Sequence, residues 1–269
     1  MTTLVTGAGG LIGSTIAAGG ARGLTRQQLD ITDTDALCAV LDAVRPAALI
    51  NAAAQANVNQ AEQAPAHADA VNGHAVARMA DACRRRGVRL VHISTDYVLD
   101  CPERAELTED LAPSPRSAYA RSKLLGEQAA LAEGAVVVRV QWVYHPGERG
   151  FFNFALRRLA AGQPLSLVTD QVGRPTPAAG VAAGLLRAAA GGPVGLFHLA
   201  TTGEASAWDW IAAAAAHRGL SVAGVLPTTR AALGGAHRPA RSCLNSDRFA
   251  AAWGLRLGGW ADALADAMR

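Results

Sequence analysis

The 269-residue sequence predicts an α/β fold, a doubly wound parallel (Rossmann) sheet with a smaller C-terminal substrate lobe. In the first half, short β-rich runs alternate with helical stretches. A glycine-rich turn follows the first run directly, and after about Tyr144 the alternation loosens into segments rich in Gly and Pro. Alternation of this kind implies crossovers that bury both faces of a parallel sheet.

The predicted strands are Thr3 to Thr6, Arg22 to Arg26, Ala48 to Asn51, Arg89 to Ser94 and Ala135 to Val140. Each is short, apolar and bounded by breakers, as a strand covered on both faces should be. Between them Asp33 to Val44, Ala66 to Arg86 and Ala118 to Ala132 carry apolar residues at helical spacing. The first helix should stop early, at Gly19-Gly20. Beyond Tyr144 come two Gly/Pro-rich stretches, His145 to Gly150 and Asp170 to Pro177. One more strand is expected at Gly195 to Ala200, and an Ala-rich helix at Ala207 to His217 that Gly219 ends. The expected division is therefore 1–144 for a dinucleotide and 145–269 mainly for substrate, with part of the second segment returning to the sheet.

Composition narrows the function classes. Half of the residues are apolar and 17% are charged, which describes a globular enzyme and excludes a disordered tail. The formal charge is only +3, and Arg84, Arg85 and Arg86 form the single tight basic run, so nucleic acid is not implied. Cys38, Cys83, Cys101 and Cys243 are widely spaced, with neither zinc nor CxxC spacing, which suits a reducing, cytoplasmic setting. No metal is expected. No apolar run approaches the roughly 20 residues a membrane helix needs, and the glycine-punctuated start lacks the basic region of a signal peptide.

Gly7, Gly10 and Gly13, with Leu11 and Ile12 between them, recur at three-residue spacing right after the first strand. Glycine there allows a tight turn and close backbone approach to a pyrophosphate, and the following helix N-terminus offers free N–H groups. At the end of the second strand the chain has Thr25 and Arg26, where an NAD-preferring site usually has an acid. Arg26 suits an adenosine 2′-phosphate and favours NADPH, with NADH also admissible. Asp30 and Ile31 border the expected adenine, and Asn51, Ala52, Ala53 and Ala54 let the backbone crowd the cofactor.

Tyr119 and Lys123 are four apart and share a helix face. A phenol of pKa about 10 needs a neighbouring cation to exchange protons near neutrality, and Lys123 supplies one. Thr95, closing the fourth strand in Ser94-Thr95-Asp96-Tyr97-Val98, can hydrogen-bond a reacting carbonyl. Glycine loop, strand-end hydroxyl and Tyr–Lys helix occur in the order that a short-chain reductase requires.

At these residues the chain resembles the extended short-chain dehydrogenase/reductases, and among them the dTDP-4-dehydrorhamnose reductase family. The likeness runs nearly end to end, through Asn51-Ala-Ala-Ala, Ser94-Thr-Asp-Tyr-Val, Tyr119 to Lys123, Trp142-Val-Tyr, Asn153-Phe154, Asp170 to Thr176 and Arg238-Pro239. The resemblance implies hydride transfer to C4 of a dTDP-4-keto-6-deoxyhexose, with Tyr119 as proton donor and Lys123 also holding the nicotinamide ribose. It also implies that Val58, Thr95, Asp96 and Trp142 face the sugar, while Asn153, Gln171 and Arg238 approach the nucleotide or its diphosphate. A homodimer is admitted, and no membrane partner.

The chain departs from the family at Val58-Asn59-Gln60-Ala61-Glu62 and Val140-Gln141-Trp142, where Val-Asp-Lys-Ala-Glu and Thr-Ser-Trp are usual. Some members bind magnesium through acidic side chains, and Ser14-Thr15 offers none. A secondary-metabolite reductase such as a dTDP-dihydrostreptose synthase, a UDP-sugar epimerase and a regulatory subunit of the methionine adenosyltransferase type remain alternatives. Intact Tyr119, Lys123 and Thr95 weigh against the last.

Overall fold

The computed structural model describes residues 2–147 and 149–269. Glu148, inside one predicted Gly/Pro-rich stretch, lies outside the described residues. In chain order the first half runs β1 (Thr3–Thr6), α1 (Leu11–Ala18), β2 (Arg22–Leu24), α2 (Thr34–Val44), β3 (Ala48–Asn51), α3 (Val58–Gln63), α4 (Pro65–Asp69), α5 (Ala75–Arg85), β4 (Arg89–Thr95), α6 (Ala118–Ala132) and β5 (Val136–Val140). There follow β6 (Val143–Tyr144), α7 (Gly150–Ala160), β7 (Leu165–Val168), β8 (Val172–Gly173), β9 (Thr176–Pro177), α8 (Ala178–Ala190), β10 (Gly195–Leu199), β11 (Ala205–Ser206), α9 (Ala207–His217), β12 (Val225–Thr228), α10 (Arg230–Leu233), α11 (Asp247–Trp253) and α12 (Trp260–Met268).

Six strands form one sheet in the order β2-β1-β3-β4-β5-β10, and every pairing is parallel. Successive side chains enter opposite cores. Leu4, Leu49 and Val137 meet Leu37, Leu41, Met79 and Cys83 on one face, whereas Val5, Ile50 and Val138 meet Ile16, Val181, Leu185 and Phe249 on the other. Continuously apolar strands therefore follow from burial on both sides. A third core, around Phe152, Leu156, Trp210, Ile211 and Leu264, lies in the C-terminal segment. That segment also returns β10, α8 and α11 to the sheet.

Local signals set the helix ends. Asp33 accepts the Ala36 N–H at 2.9 Å, and Ser117 the Ala120 N–H at 3.1 Å, so each caps its helix. Ser206 and Asp209 form a capping box at α9, and Gly219, at φ +63°, follows that helix's last residues.

Two expectations need correction. The second strand stops at Leu24, because Gln28 draws the Thr25 N–H and hydroxyl into a turn at 2.9 and 3.1 Å. The helix expected from Ala66 to Arg86 is present but not uniform: its backbone stays helical from Pro65 through Arg85, and a π turn over Ala70–His74 separates α4 from α5. Its Asn72 side chain accepts the Gln55 N–H at 2.8 Å and donates to Ser122 Oγ at 2.9 Å.

Candidate active site

Strand order reverses between β1 and β3, and the C-terminal ends of these strands form the crevice in which open α/β sheets bind ligands. Gly7, at φ +70°, lies so close to β3 that a Cβ would sit 2.6 Å from Ala53 N and 2.7 Å from Ala52 O. A Cβ on Gly13 would meet Gly7 O at 2.2 Å. Loop and helix therefore tolerate no side chain at either position, and Gly13 acts in packing.

Gly10 is the N-cap of α1 without a side-chain cap bond, and no carboxylate occupies the first turn. Ser14 N–H reaches Gly10 O at 2.9 Å, leaving the N–H groups of Leu11, Ile12 and Gly13 before it without helical partners. This cradle, with room only for backbone and with anion-seeking donors, fits a dinucleotide pyrophosphate.

A cavity of ≈ 210 Å³ extends from the loop and is lined by Gly7, Gly10, Arg26, Asp30, Ile31 and Ala52 to Ala54. Gln55, His67 and Val71 also line it, three residues that sequence reasoning missed. Asp30 accepts the Thr32 N–H and hydroxyl at 2.9 and 2.7 Å, and these bonds, with Arg26 beside them, hold its carboxyl below the usual range. Arg26 is 76% exposed and lies 3.4 Å from Asp30. In the free protein its guanidinium thus already has an acidic neighbour.

The same alanines line a second cavity of ≈ 470 Å³, whose walls include Ile12, Asn51, Val58, Thr95, Asp96, Tyr119, Lys123 and Trp142. Thr95 ends β4, and Tyr119 and Lys123 project one turn apart from α6. The structure therefore brings the three predicted catalytic residues into one cleft.

Burial pushes the Tyr119 phenol up to about 12, opposed by a hydrogen bond from Thr95. Burial also lowers Lys123 to about 8, opposed by the charge of Glu127. The Thr95 hydroxyl lies 3.1 Å from Asp96 Oδ1. Asp96 is buried, and that burial raises its carboxyl to about 6 against the opposing hydrogen bonds of Ser242 and Thr95.

Trp142 adopts φ +41°, a strained conformation for a residue with a Cβ, and its indole lies against Gly173, where a Cβ would come within 2.6 Å of the ring. Gln171 and Arg238 line an adjoining cavity of ≈ 360 Å³ with Asp170 and His237. Asn153 is placed differently. Its amide donates to His145 O and Arg149 O, both at 2.7 Å, and accepts the Gly147 N–H at 2.9 Å. These bonds tie it to the loop before α7. Leu11 lines neither cofactor cavity.

Sequence reasoning missed His92 and Phe151 and gave no role to Tyr97 and Gln141, although both lie in motifs that it singled out. Tyr97 meets the Tyr119 ring edge-on at 5.6 Å, and Gln141 and Phe151 line the reactive cleft. His92, inside β4, approaches Lys123 from beneath. Spacing could not reveal these residues, since each is brought in by the fold. Composition carried one unused signal, for Lys123 is the single lysine in the sequence.

A parallel six-stranded sheet with a glycine cradle at its switch point and a Tyr–Lys–Thr cleft defines an NAD(P)H-dependent oxidoreductase of the extended short-chain type. All of residues 1–269 match the RmlD substrate binding domain family. The chain belongs to this family, the dTDP-4-dehydrorhamnose reductases.

It is 38% identical over 282 residues to a dTDP-4-dehydrorhamnose reductase of Mycolicibacterium smegmatis, covering 98% of this chain and 84% of the relative. A dTDP-4-keto-6-deoxy-D-glucose reductase of Streptomyces niveus is 37% identical over 216 residues, covering 77% and 75%. Among solved structures, the dTDP-4-dehydrorhamnose reductase of Bacillus anthracis in complex with NADP superposes with a TM-score of 0.91 at 27% identity, over 98% of each chain.

Proposed function

We propose that the protein reduces the C4 keto group of a dTDP-4-keto-6-deoxyhexose with NADPH, in the cytoplasm, using Tyr119 as proton donor. The observation that carries this reading is the convergence of Thr95, Tyr119 and Lys123 on a cleft that shares Ala52 to Ala54 with the glycine-lined cavity. The dTDP-sugar names of the relatives and the NADP in the Bacillus anthracis enzyme support it.

The cofactor, when bound, supplies the hydride. Residues 1–144 serve it: the Gly7–Gly13 loop receives the pyrophosphate, Arg26 the 2′-phosphate, Asp30 and Ile31 the adenosine, and Asn51 to Ala54 the path to the nicotinamide. Residues 145–269 serve mainly the sugar nucleotide, through Trp142 at their threshold and Gln171 and Arg238 beyond it. Asn153 acts indirectly, by fixing the loop before α7. Val58 and Asp96 complete the sugar's surroundings.

Tyr119 stays a phenol through neutral pH and is therefore ready to give its proton as the carbonyl oxygen gains charge. Thr95 orients that oxygen from the strand end. Lys123 is an ammonium at pH 7 with a value of about 8, and it stabilises the phenolate left behind. The test is consumption of NADPH by the purified protein with a dTDP-4-keto-6-deoxysugar, with identification of the product. Cofactor binding without turnover on any such sugar would sink the proposal.

A further inference from the structure

Lys123 is the only lysine of the chain, and the other 24 basic residues of the Lys/Arg set are arginines. Arginine cannot release its proton in a protein, whereas a buried lysine does so readily. What surrounds this one amine therefore matters. Nζ donates to Ile93 O at 2.6 Å and lies 3.4 Å from His92 Nε2. On the other side of the ring, His92 Nδ1 lies 3.1 Å from Asn51 Nδ2.

The ring proton can be placed from Asn51. Its Oδ1 accepts the backbone N–H of Ala53 at 3.2 Å, a donor that cannot reverse, together with the Thr6 hydroxyl at 2.7 Å. The amide nitrogen is then the group that faces His92, so Nδ1 accepts and the neutral ring carries its hydrogen on Nε2. Burial keeps that ring neutral. Its remaining N–H is aimed at the lysine.

We propose that His92 is a positioning residue for Lys123: locked by Asn51 as the Nε2–H tautomer, it donates to the lysine's lone pair and favours the free amine over the ammonium. Protonating Nζ would set N–H against N–H across 3.4 Å. Relief requires the ring proton to move to Nδ1, and that in turn requires the Asn51 amide to turn over and abandon Ala53. The charge of Lys123 and the tautomer of His92 consequently change together, through a chain that begins at Thr6 on the cofactor-side strand β1.

The other ionisable groups around the lysine are few. Glu127, one turn on, favours the ammonium, but its carboxylate is already held by Arg139 at 2.5 and 2.9 Å and by Ser94 at 2.8 Å. Tyr119 stands one turn back, Asp96 and Tyr97 lie across the cleft, and Glu62 of α3 is bonded to Ala118 N–H at 2.6 Å. His92 is the group within reach of Nζ that can donate toward it.

The inference rests on Lys123 being the catalytic lysine, yet its test needs neither cofactor nor sugar, so its failure would leave the reductase reading standing. Full-length protein labelled with ¹³Cε-lysine gives one lysine signal, and ¹⁵N-histidine labelling reports the ring tautomers. The His92 signals are those lost in His92→Gln. At pH values above the lysine's midpoint His92 should show Nε2–H, with a pyridine-like Nδ1. As the lysine gains its proton, Nδ1 should become pyrrole-like with the same midpoint. A His92 that is Nδ1–H throughout, or whose nitrogens stay unchanged while the lysine titrates, overturns the proposal.

Discussion

Tyr119, Lys123 and Asp96 move in opposite directions on the pH scale for one reason: burial penalises whichever form is charged, raising the acids and lowering the base. The cleft thus keeps a proton on its donor and holds a lysine that titrates close to physiological pH. Tyr119→Phe removes the proton and leaves the ring, so kcat should fall by about 10²–10⁴, the usual worth of a positioned general acid, while NADPH affinity, read by fluorescence titration, stays unchanged. A mutant retaining wild-type turnover would remove Tyr119 from the chemistry.

Asp96 makes a prediction about stability. Its folded value of about 6 lies above the ordinary 3.8, so between those values the unfolded chain releases a proton that the folded one keeps. Stability is therefore lost as pH rises from about 4 through 6. The difference is worth about 3 kcal/mol at about 1.4 kcal/mol per unit of pKa. Asp96→Asn should remove that loss, making the variant's urea midpoint less sensitive to pH between 4 and 7 than the wild type's. Equal pH sensitivity in the two proteins would show that Asp96 is ionised without cost. The grouping of Thr95, Tyr119 and Lys123 in one cleft was legible in sequence because strand end and helical spacing expose it. The burial of Asp96 was not, since it depends on what the rest of the fold places around it.

Elements were legible where their cause was local. β1, β3, α6 and α9 have the bounds that apolar runs, Ser caps and helical spacing imply. The π turn over Ala70–His74 has a distant cause and left no such trace. There Asn72 bonds to Gln55 and Ser122, and a Cβ on Gly126 of α6 would meet Asn72 O at 2.0 Å. Extra residues in a helix turn recur at functional sites, and this one lets a side chain tie the segment after β3 to the catalytic helix. Asn72→Ala leaves the part-buried Gln55 N–H without its acceptor, while the Ser122 hydroxyl keeps its bond to Tyr119 O at 2.8 Å. One unsatisfied group costs about 1–3 kcal/mol, so chemical denaturation should show a clear loss. A change under about 0.5 kcal/mol, typical of a neutral surface site, would mean that the turn is held by backbone alone. Glu127 and Arg139, 1–2% exposed and paired between α6 and β5, should behave similarly. Glu127→Gln leaves a buried guanidinium uncompensated and is expected to destabilise by about 3–5 kcal/mol in chemical denaturation.

At the scale of the molecule, a single sheet reversal creates the crevice, and Phe151 of the C-terminal segment lines the reactive cleft beside it, so ligand binding and stability should be linked. Sequence reasoning reached the crevice through the glycine loop. It could not foresee that Arg26 shares its position with Asp30, because the pairing arises from the turn that ends β2 early. That pairing sharpens the cofactor question. Asp30 repels an anion, so Arg26 must outweigh it for a 2′-phosphate to bind well. NADPH at about 100 times its Kd should stabilise the fold by about 2.7 kcal/mol, raising the thermal midpoint by about 5–10 °C for a chain of this size. NADH, lacking the phosphate, has no use for Arg26. Arg26→Ala should weaken NADPH about tenfold, the scale of one charge-assisted hydrogen bond, and shrink its thermal shift while leaving that of NADH unchanged. A variant in which both shifts shrink together would place Arg26 among the supports of the adenosine cavity instead of at the phosphate. One in which neither shrinks would make the guanidinium a partner of Asp30 alone.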